Sequence, residues 1–251
     1  MLQNLALTLM FDGSRYHGWQ RQTNAVTVEE VLSNAIYKRT GRQPLVIGCS
    51  RTDAGVHAIE YICNFMTDSP IPPEKLPFAL NTLLPYDIRV LKCNKVSDDF
   101  HSRFCAVSKT YVYNVYTDVI SNPFLKNFAF HFPYTLNLEQ MQRAATYFIG
   151  EYDFSAFMTT GSSQKTTVRK VTKLTVTKKE NFFRFEISAN AFLYNMVRII
   201  VGTLLYVGMG KISENDITKI IKSRDRSKGG ITAGAMGLYL AKVDYNDEGV
   251  L

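Results

Sequence analysis

The first strand predicted for this chain is the stretch Leu5-Ala6-Leu7-Thr8-Leu9-Met10-Phe11, and the pair Asp12-Gly13 follows it directly. Its large apolar side chains recur at every second position, which is the period of a strand that buries one face. An Asp-Gly pair is typical of a tight turn. The stretch therefore predicts that the fold begins with a strand that turns back toward a second element.

A helix is predicted as that second element, because Thr27 and Glu30 have the spacing of a capping box. Apolar residues also recur at helical spacing from 28 to 36. The elements predicted next are two short strands, a helix and a further strand, at 45–47, 61–65, 74–83 and 88–91. The order of elements in this half of the chain is βαββαβ.

The same order returns after the polar segment 97–102, with one added helix before the last strand. The predicted strands lie at 110–116, 168–177, 182–188 and 238–243, and helices are predicted after Asn137, near Leu193 and from Ser213. We therefore predict an α/β (α+β) fold of two ferredoxin-like βαββαβ units with antiparallel sheets and a central cleft. The two domains are predicted at 1–102 and 103–251, and the segment from Phe154 to Thr167 is predicted as a mobile loop.

Charge and cysteine content restrict the function. The chain carries 29 Lys and Arg residues against 22 Asp and Glu residues, a formal net charge of +7 at pH 7. This charge favours a polyanionic partner such as nucleic acid, although a basic excess that only maintains solubility fits equally well. The four cysteines contain no Cys-x-x-Cys pair, which predicts neither a zinc site nor a disulfide framework and indicates a reducing cytoplasm.

The segment 191–210 is apolar enough for a membrane span to be considered. Arg198 lies near its middle, where an arginine costs about 2.5–3.5 kcal/mol in a bilayer. A buried helix of a protein without membrane association is therefore predicted. The first residues lack the basic segment and apolar core of a signal peptide, which also favours a cytoplasmic protein.

The segment that carries chemistry lies between two predicted strands and reads Gly48-Cys49-Ser50-Arg51-Thr52-Asp53-Ala54-Gly55-Val56-His57-Ala58. Loops of this kind often host active sites, and a nearby cation such as Arg51 can keep a poorly solvated Asp53 ionised. The alternative is a turn in which Asp53 only caps backbone amides. The residues alone leave both interpretations open.

Residues 51–58 of this loop, Arg-Thr-Asp-Ala-Gly-Val-His-Ala, resemble the signature of the tRNA pseudouridine synthase A family. Other segments resemble the family in the same order along almost the whole chain. These segments are Phe11–Gly13, His17–Gln22, Asn81–Pro85, Phe100–Phe104, Ser108–Tyr111, Asp153–Phe157, Phe192–Arg198 and Gly237–Leu240. Similarity spread so widely is not expected by chance.

The resemblance implies a two-domain α/β enzyme, a homodimer, that isomerises uridine to pseudouridine at positions 38, 39 and 40 in the anticodon stem-loop of tRNA. By motif, Asp53 matches the nucleophile of the family and Arg198 the arginine that pairs with its carboxylate. Tyr111 matches the tyrosine that packs on the target uracil, and Arg51 matches an arginine that helps to extrude the base. The reaction oxidises nothing and receives no group from outside, so neither a cofactor nor a metal ion is expected.

A polyanionic substrate needs cations along its path. Phosphate contacts are predicted for nine basic residues, Arg15, Arg21, Lys109, Lys165, Lys170, Lys173, Arg224, Arg226 and Lys228. Any one of them is equally well explained as a solvated surface charge. Arg21 and Lys109 are predicted to bind the substrate together with His57, which is as well suited to orienting the loop.

Departures from the family pattern leave alternatives. Ile59-Glu60 replaces a frequent Gly-Gln pair, and Gly234 replaces a usual proline. A related pseudouridine synthase with another RNA target is therefore one alternative. A non-catalytic RNA-binding protein with two ferredoxin-like sheets is a second, although clustered strand aromatics of that class are missing. A small-molecule enzyme on the same fold is a third.

Overall fold

The computed structural model describes residues 2–159, 161 and 166–246. The chain separates into two compact units, which we call unit 1 and unit 2. Unit 1 comprises Met1–Val107 and Tyr239–Leu251, and unit 2 comprises Ser108–Leu238. Both contain helices packed with strands, which confirms the predicted α/β class.

Unit 1 contains the predicted βαββαβ order. Its elements are β1 (Gln3–Phe11), α1 (Val28–Thr40), β2 (Ile47–Gly48), β3 (His57–Thr67), α2 (Leu76–Asn81), β4 (Ile88–Val96) and a returning strand, β10 (Leu238–Tyr245). β1 lies between β4 and β3 and pairs antiparallel with both, and β2 pairs antiparallel with β3. β10 pairs parallel with β3, so that Tyr239 lies opposite His57.

The helices of unit 1 begin and end for local reasons. The Thr27 hydroxyl accepts a hydrogen bond from the backbone N–H of Glu30, as the capping pattern predicts, and Gly41 ends α1 with a φ of +75°. α2 begins later than predicted because Pro73–Lys75 form a separate 3-10 turn. The Asn81 side chain then bonds both backbone polar groups of Val90, which fixes the end of α2 against β4.

Unit 2 contains an antiparallel sheet in the order β5-β9-β8-β7, with the short β6 parallel to β5. Its elements are β5 (Ala106–Tyr116), β6 (Phe130–His131), α3 (Leu138–Thr146), β7 (Gly150–Asp153), β8 (Val168–Lys179), β9 (Phe182–Ala189), α4 (Met196–Gly208) and α5 (Ile217–Ser223). The strands β6 and β7 are additions to the predicted set.

The long apolar helix, α4, is packed inside unit 2. A Cβ atom at Gly202 would collide with the backbone of Ile231, and one at Gly230 would collide with the backbone of Gly202. Because these two positions are glycines, the 230–231 segment lies directly on α4. This close contact explains why α4 is buried. Within the part of the chain that the structure describes, no helix is long and apolar enough to cross a membrane.

Unit 1 is not continuous in the sequence. Its sheet is completed by β10, which begins at the last residue of unit 2. The predicted domains, 1–102 and 103–251, assign this strand to the second domain and stay a prediction. Part of the predicted mobile loop, residues 160 and 162–165, lies outside the described residues.

Candidate active site

The loop that carries Asp53 connects β2 to β3 and rests on the segment after β1. The backbone N–H of Trp19 donates to the Thr52 carbonyl at 3.3 Å, and the N–H of Gly55 donates to the Tyr16 carbonyl at 3.1 Å. Hydrogen bonds therefore hold the loop immediately before and shortly after Asp53. Gly55 has a φ of +78°, a conformation that suits glycine at this turn.

The segment 13–18 approaches the loop closely because two of its residues have no side chain. A Cβ atom on Gly18, whose φ is +83°, would collide with the Thr52 carbonyl oxygen. A Cβ atom on Gly13 would collide with the Val56 carbonyl oxygen. Backbone therefore packs on backbone along this edge of the loop, which restricts how far Asp53 can move.

An aromatic pair lies behind the loop. The rings of Trp19 and Tyr61 stack with centroids 4.1 Å apart and an interplanar angle of 24°, and both side chains are buried. The Tyr61 hydroxyl donates to the Ser50 carbonyl and accepts from the Ser50 N–H at 3.4 Å. Trp19 is therefore packed in the core of unit 1, where it supports the loop.

Burial alternates along the centre of the loop. Arg51 is exposed, Thr52 is buried and Asp53 is half-buried. The Thr52 hydroxyl has no hydrogen-bond partner among the described residues. Arg51 is therefore accessible to a ligand, Asp53 is partly accessible and Thr52 is shielded.

His57 is 1% exposed and fixes the turn after β1. Its Nδ1 atom accepts a hydrogen bond from the backbone N–H of Gly13 at 3.1 Å and lies 3.1 Å from the Asp12 carboxylate. Its ring stacks on Tyr239, with centroids 4.6 Å apart. These contacts give His57 an orienting role, and substrate contact by His57 stays a prediction.

Asp87 anchors the start of the supporting segment. The Arg15 Nε atom donates to its carboxylate at 2.7 Å, and the Tyr16 hydroxyl donates to it at 2.6 Å. The pKa of Tyr16 is raised above its usual range, mainly by burial and secondly by the hydrogen bond to Asp87. Tyr16 is therefore a neutral donor at physiological pH, and Arg15 already has a carboxylate partner.

In unit 2, Arg198 lies in the first turn of α4. Its Nε atom donates to the Ala233 carbonyl at 2.7 Å, and Nη1 donates to the Asn195 side-chain oxygen at 2.6 Å. The backbone N–H of Ala233 donates to the Arg198 carbonyl at 3.2 Å. The two side-chain bonds hold the planar guanidinium in one orientation, and the backbone bond holds the 233 segment against α4.

Asn195 contacts the Arg198 guanidinium, although its sequence pattern did not single it out. It precedes α4 with a φ of +61° and makes no capping hydrogen bond with its side chain. Its oxygen instead accepts from Arg198, and its nitrogen donates to the Thr159 hydroxyl at 2.9 Å. An asparagine before a helix is typical of an N-cap, and that pattern concealed its role in positioning Arg198.

Tyr111 and Lys109 lie two residues apart on β5, so their side chains share a face of the sheet. Tyr111 pairs with Ile187 on β9, and Lys109 pairs with Ala189. The Tyr111 ring contacts Phe192 edge-on, with centroids 5.0 Å apart and an interplanar angle of 82°. The Phe192 contact braces one side of the tyrosine ring.

The predicted phosphate-binding residues fall into several groups. Lys173 pairs with Glu186 at 2.6 Å, and Arg224 pairs with Asp153 at 3.0 Å.

The other predicted phosphate-binding residues differ in exposure. Lys109 is only 8% exposed, whereas three cations are exposed, namely Arg21, Lys170 and Lys228. Arg226 donates to the Thr232 hydroxyl at 3.1 Å, and burial lowers its pKa. Lys165 lies outside the described residues.

Potential metal ligands are dispersed. Within the described ranges, no group of three or more His, Cys, Asp or Glu side chains is arranged to hold a metal ion. Of the four cysteines, Cys49, Cys63 and Cys93 are buried and Cys105 is exposed.

Comparison with known proteins identifies the class. The model of a family described as tRNA pseudouridine synthase matches residues 8–105 and 144–246. The two ranges contain the Asp53 loop and the helix with Arg198, whereas Lys109 and Tyr111 lie between them. This match over most of the chain identifies the class as a pseudouridine synthase, an enzyme that isomerises uridine to pseudouridine.

Two curated relatives extend the match to nearly the whole chain. The tRNA pseudouridine synthase A of Thermoanaerobacter sp. (strain X514) is 52% identical over 244 residues, which cover 97% of this chain and 100% of the relative. That of Acetivibrio thermocellus is 46% identical with the same coverage. The chain belongs to the tRNA pseudouridine synthase A family, and it is an isomerase that converts uridine to pseudouridine in tRNA.

Similarity to solved structures is lower. One match, the structure of an H/ACA RNP bound to a substrate RNA containing 2'-deoxyuridine, has a TM-score of 0.43 and 12% sequence identity. It covers 97% of this chain and 50% of the matched chain. Similarity at this level supports no argument about the site.

Proposed function

We propose that this enzyme modifies uridines at positions 38, 39 and 40 in the anticodon stem-loop of tRNA, with Asp53 as the nucleophile. The observation that carries the proposal is the half-buried Asp53 within a loop of the family signature, held by hydrogen bonds through Thr52 and Gly55. A carboxylate held in this way loses little conformational freedom when it reacts. The resemblance of the sequence to the family supports the choice of positions.

The isomerisation breaks the bond between ribose C1' and uracil N1 and forms a bond between C1' and C5. The hydrogen at C5 leaves as a proton, and N1 gains a proton, so no oxidant or reductant is consumed. The Asp53 carboxylate adds either to C1', which it leaves as C5 attacks, or to the uracil ring, from which it is eliminated after the new bond has formed. A covalent intermediate divides one difficult exchange into two easier steps and keeps the detached base in place.

The other predicted residues receive roles that fit this reaction. Arg198 pairs with the carboxylate of Asp53 and keeps it ionised. Tyr111 offers its ring to the uracil, a contact worth about 1–3 kcal/mol in nucleic-acid sites. Arg51 is exposed beside Asp53 and occupies the space of the extruded base, which costs a few kcal/mol to unstack.

Binding of the tRNA body is assigned to Arg21 and Lys109 together with the exposed cations Lys170 and Lys228. Phosphate contacts of this kind position the RNA and carry no sequence information. The family resemblance also supports a homodimer that acts in the cytoplasm.

The first test measures tritium released from tRNA labelled at uracil C5, with no cofactor added. We expect release by the wild type and by Asp98→Asn, an exposed control carboxylate, and no release by Asp53→Asn. Equal release by all three proteins would remove Asp53 from its assigned role. Release that persists after the uridines at 38, 39 and 40 are replaced by cytidine would contradict the proposed positions.

A further inference from the structure

An exposed aromatic side chain lies in the turn between β4 and β5. Phe104 is 75% exposed, and its ring stacks on His101 with centroids 4.1 Å apart and an interplanar angle of 27°. The Arg103 guanidinium carbon lies 5.7 Å from the centre of the same ring. We call these three side chains the 101–104 platform. Single exposed apolar side chains are normal on a protein surface, so the stacked His101 ring and the adjacent Arg103 guanidinium, rather than exposure alone, distinguish Phe104.

The platform is rigid before any ligand binds. The Nδ1 atom of His101 accepts the backbone N–H groups of Arg103 and Phe104, each at 3.2 Å. The backbone N–H of Cys105 donates to the His101 carbonyl at 2.9 Å. The turn is therefore closed by its own hydrogen bonds, and a ligand that stacks on Phe104 need not order it first.

The platform is attached to both strands that flank the Asp53 loop. Ser102, within the turn, is fully buried. Its hydroxyl donates to the Ile47 carbonyl on β2 at 2.5 Å, and its backbone N–H donates to the Asn64 side chain on β3 at 2.9 Å. Since β2 leads into the loop and β3 leaves it, the turn and the loop share the same support within unit 1.

Charge around the platform favours a neutral planar ligand. Arg103 is exposed, and the carboxylates Asp98 and Asp99 are exposed in the preceding turn. These carboxylates repel a phosphate group electrostatically, but they do not repel an uncharged nucleobase. A nucleobase stacks on an aromatic ring whatever its identity, and a neighbouring guanidinium strengthens such contacts.

From these observations we infer that the 101–104 platform stacks against an unpaired or extruded base of the tRNA, other than the uridine that reacts. The inference rests on tRNA as the substrate and adds a base contact outside the reacting centre. Binding energy gained here offsets the unstacking of the target uridine without any part in the bond changes.

The test compares the Kd for unmodified tRNA of the wild type, Phe104→Ala, Phe104→Trp and Phe78→Ala. Phe78 is the matched control, because it is also 75% exposed but lies on α2. We expect Phe104→Ala to bind about 5- to 150-fold more weakly, the equivalent of about 1–3 kcal/mol of lost stacking. Phe104→Trp and Phe78→Ala retain the affinity of the wild type within about threefold.

Two further measurements separate stacking from other roles. Removing a neutral ring leaves the slope of log Kd against log salt concentration unchanged, whereas a lost phosphate contact lowers that slope. The sedimentation behaviour and Tm of Phe104→Ala remain those of the wild type. An unchanged Kd, a changed oligomeric state or a clear fall in Tm would each overturn the inference. Wild-type tritium release tests the proposed function separately, since it does not depend on the Phe104 comparison.

Discussion

At the scale of single residues, Asp53 is positioned through the backbone of its own loop, whereas Arg198 is positioned through bonds to its side chain. The Asp53 loop is fixed through backbone hydrogen bonds of Thr52 and Gly55. Arg198 is fixed through the Ala233 carbonyl and the Asn195 side chain. The loop could be predicted from its signature in the sequence, whereas the role of Asn195 depends on Thr159, which only the fold brings beside it.

Asn195 provides the test of how much the orientation of Arg198 matters. Asn195→Ala and Asn195→Gly both remove the acceptor for Arg198, a bond to a charged group worth about 1.5–3 kcal/mol. We expect both variants to lose about 10- to 100-fold in kcat measured by tritium release. Only Asn195→Ala places a side chain without local hydrogen bonds in the left-handed region, which costs about 1 kcal/mol of stability. Urea unfolding checks this difference, and unchanged kcat in Asn195→Gly would contradict a positioning role.

At the scale of elements, close backbone approach determines where the active loop lies. Gly18 and Gly41 both have a φ near +80°, yet only Gly18 faces another backbone. The capped helices, α1 and α3, could be predicted because their start signals are local. The two-residue β6 and the parallel pairing of β10 could not, because periodicity identifies a strand but not its partner.

The two glycines make a matched pair for measurement. Gly41→Ala adds a Cβ atom with no heavy atom within 4 Å, so only the strained φ contributes, about 1 kcal/mol. Gly18→Ala adds the same strain and a collision with the Thr52 carbonyl, so we expect a loss of about 2–5 kcal/mol. Urea unfolding of both variants gives the comparison. A loss at Gly18 no larger than at Gly41 would show that the loop moves aside freely.

At the scale of the whole molecule, thiol accessibility reports on folding. Burial raises the pKa of Cys93 to about 12 and holds that of Cys63 well above its usual range. Their thiolates are therefore scarce at pH 8, and Cys49 is also buried. We expect a thiol reagent to modify Cys105 quickly in the native protein and the other three only after unfolding. Two or more fast-reacting thiols in native protein would contradict this burial pattern.

The path of the chain through the two units has a consequence for synthesis. Unit 2 ends at Leu238, where β10 begins, while the sheet of unit 1 needs β10 beside β3. A ribosome therefore releases all of unit 2 before unit 1 can close its sheet, although unit 1 supplies the first strands. Unit 2 is expected to resist protease first on stalled nascent chains of increasing length. The loop that carries Asp53 is then among the last parts of the chain to become fixed.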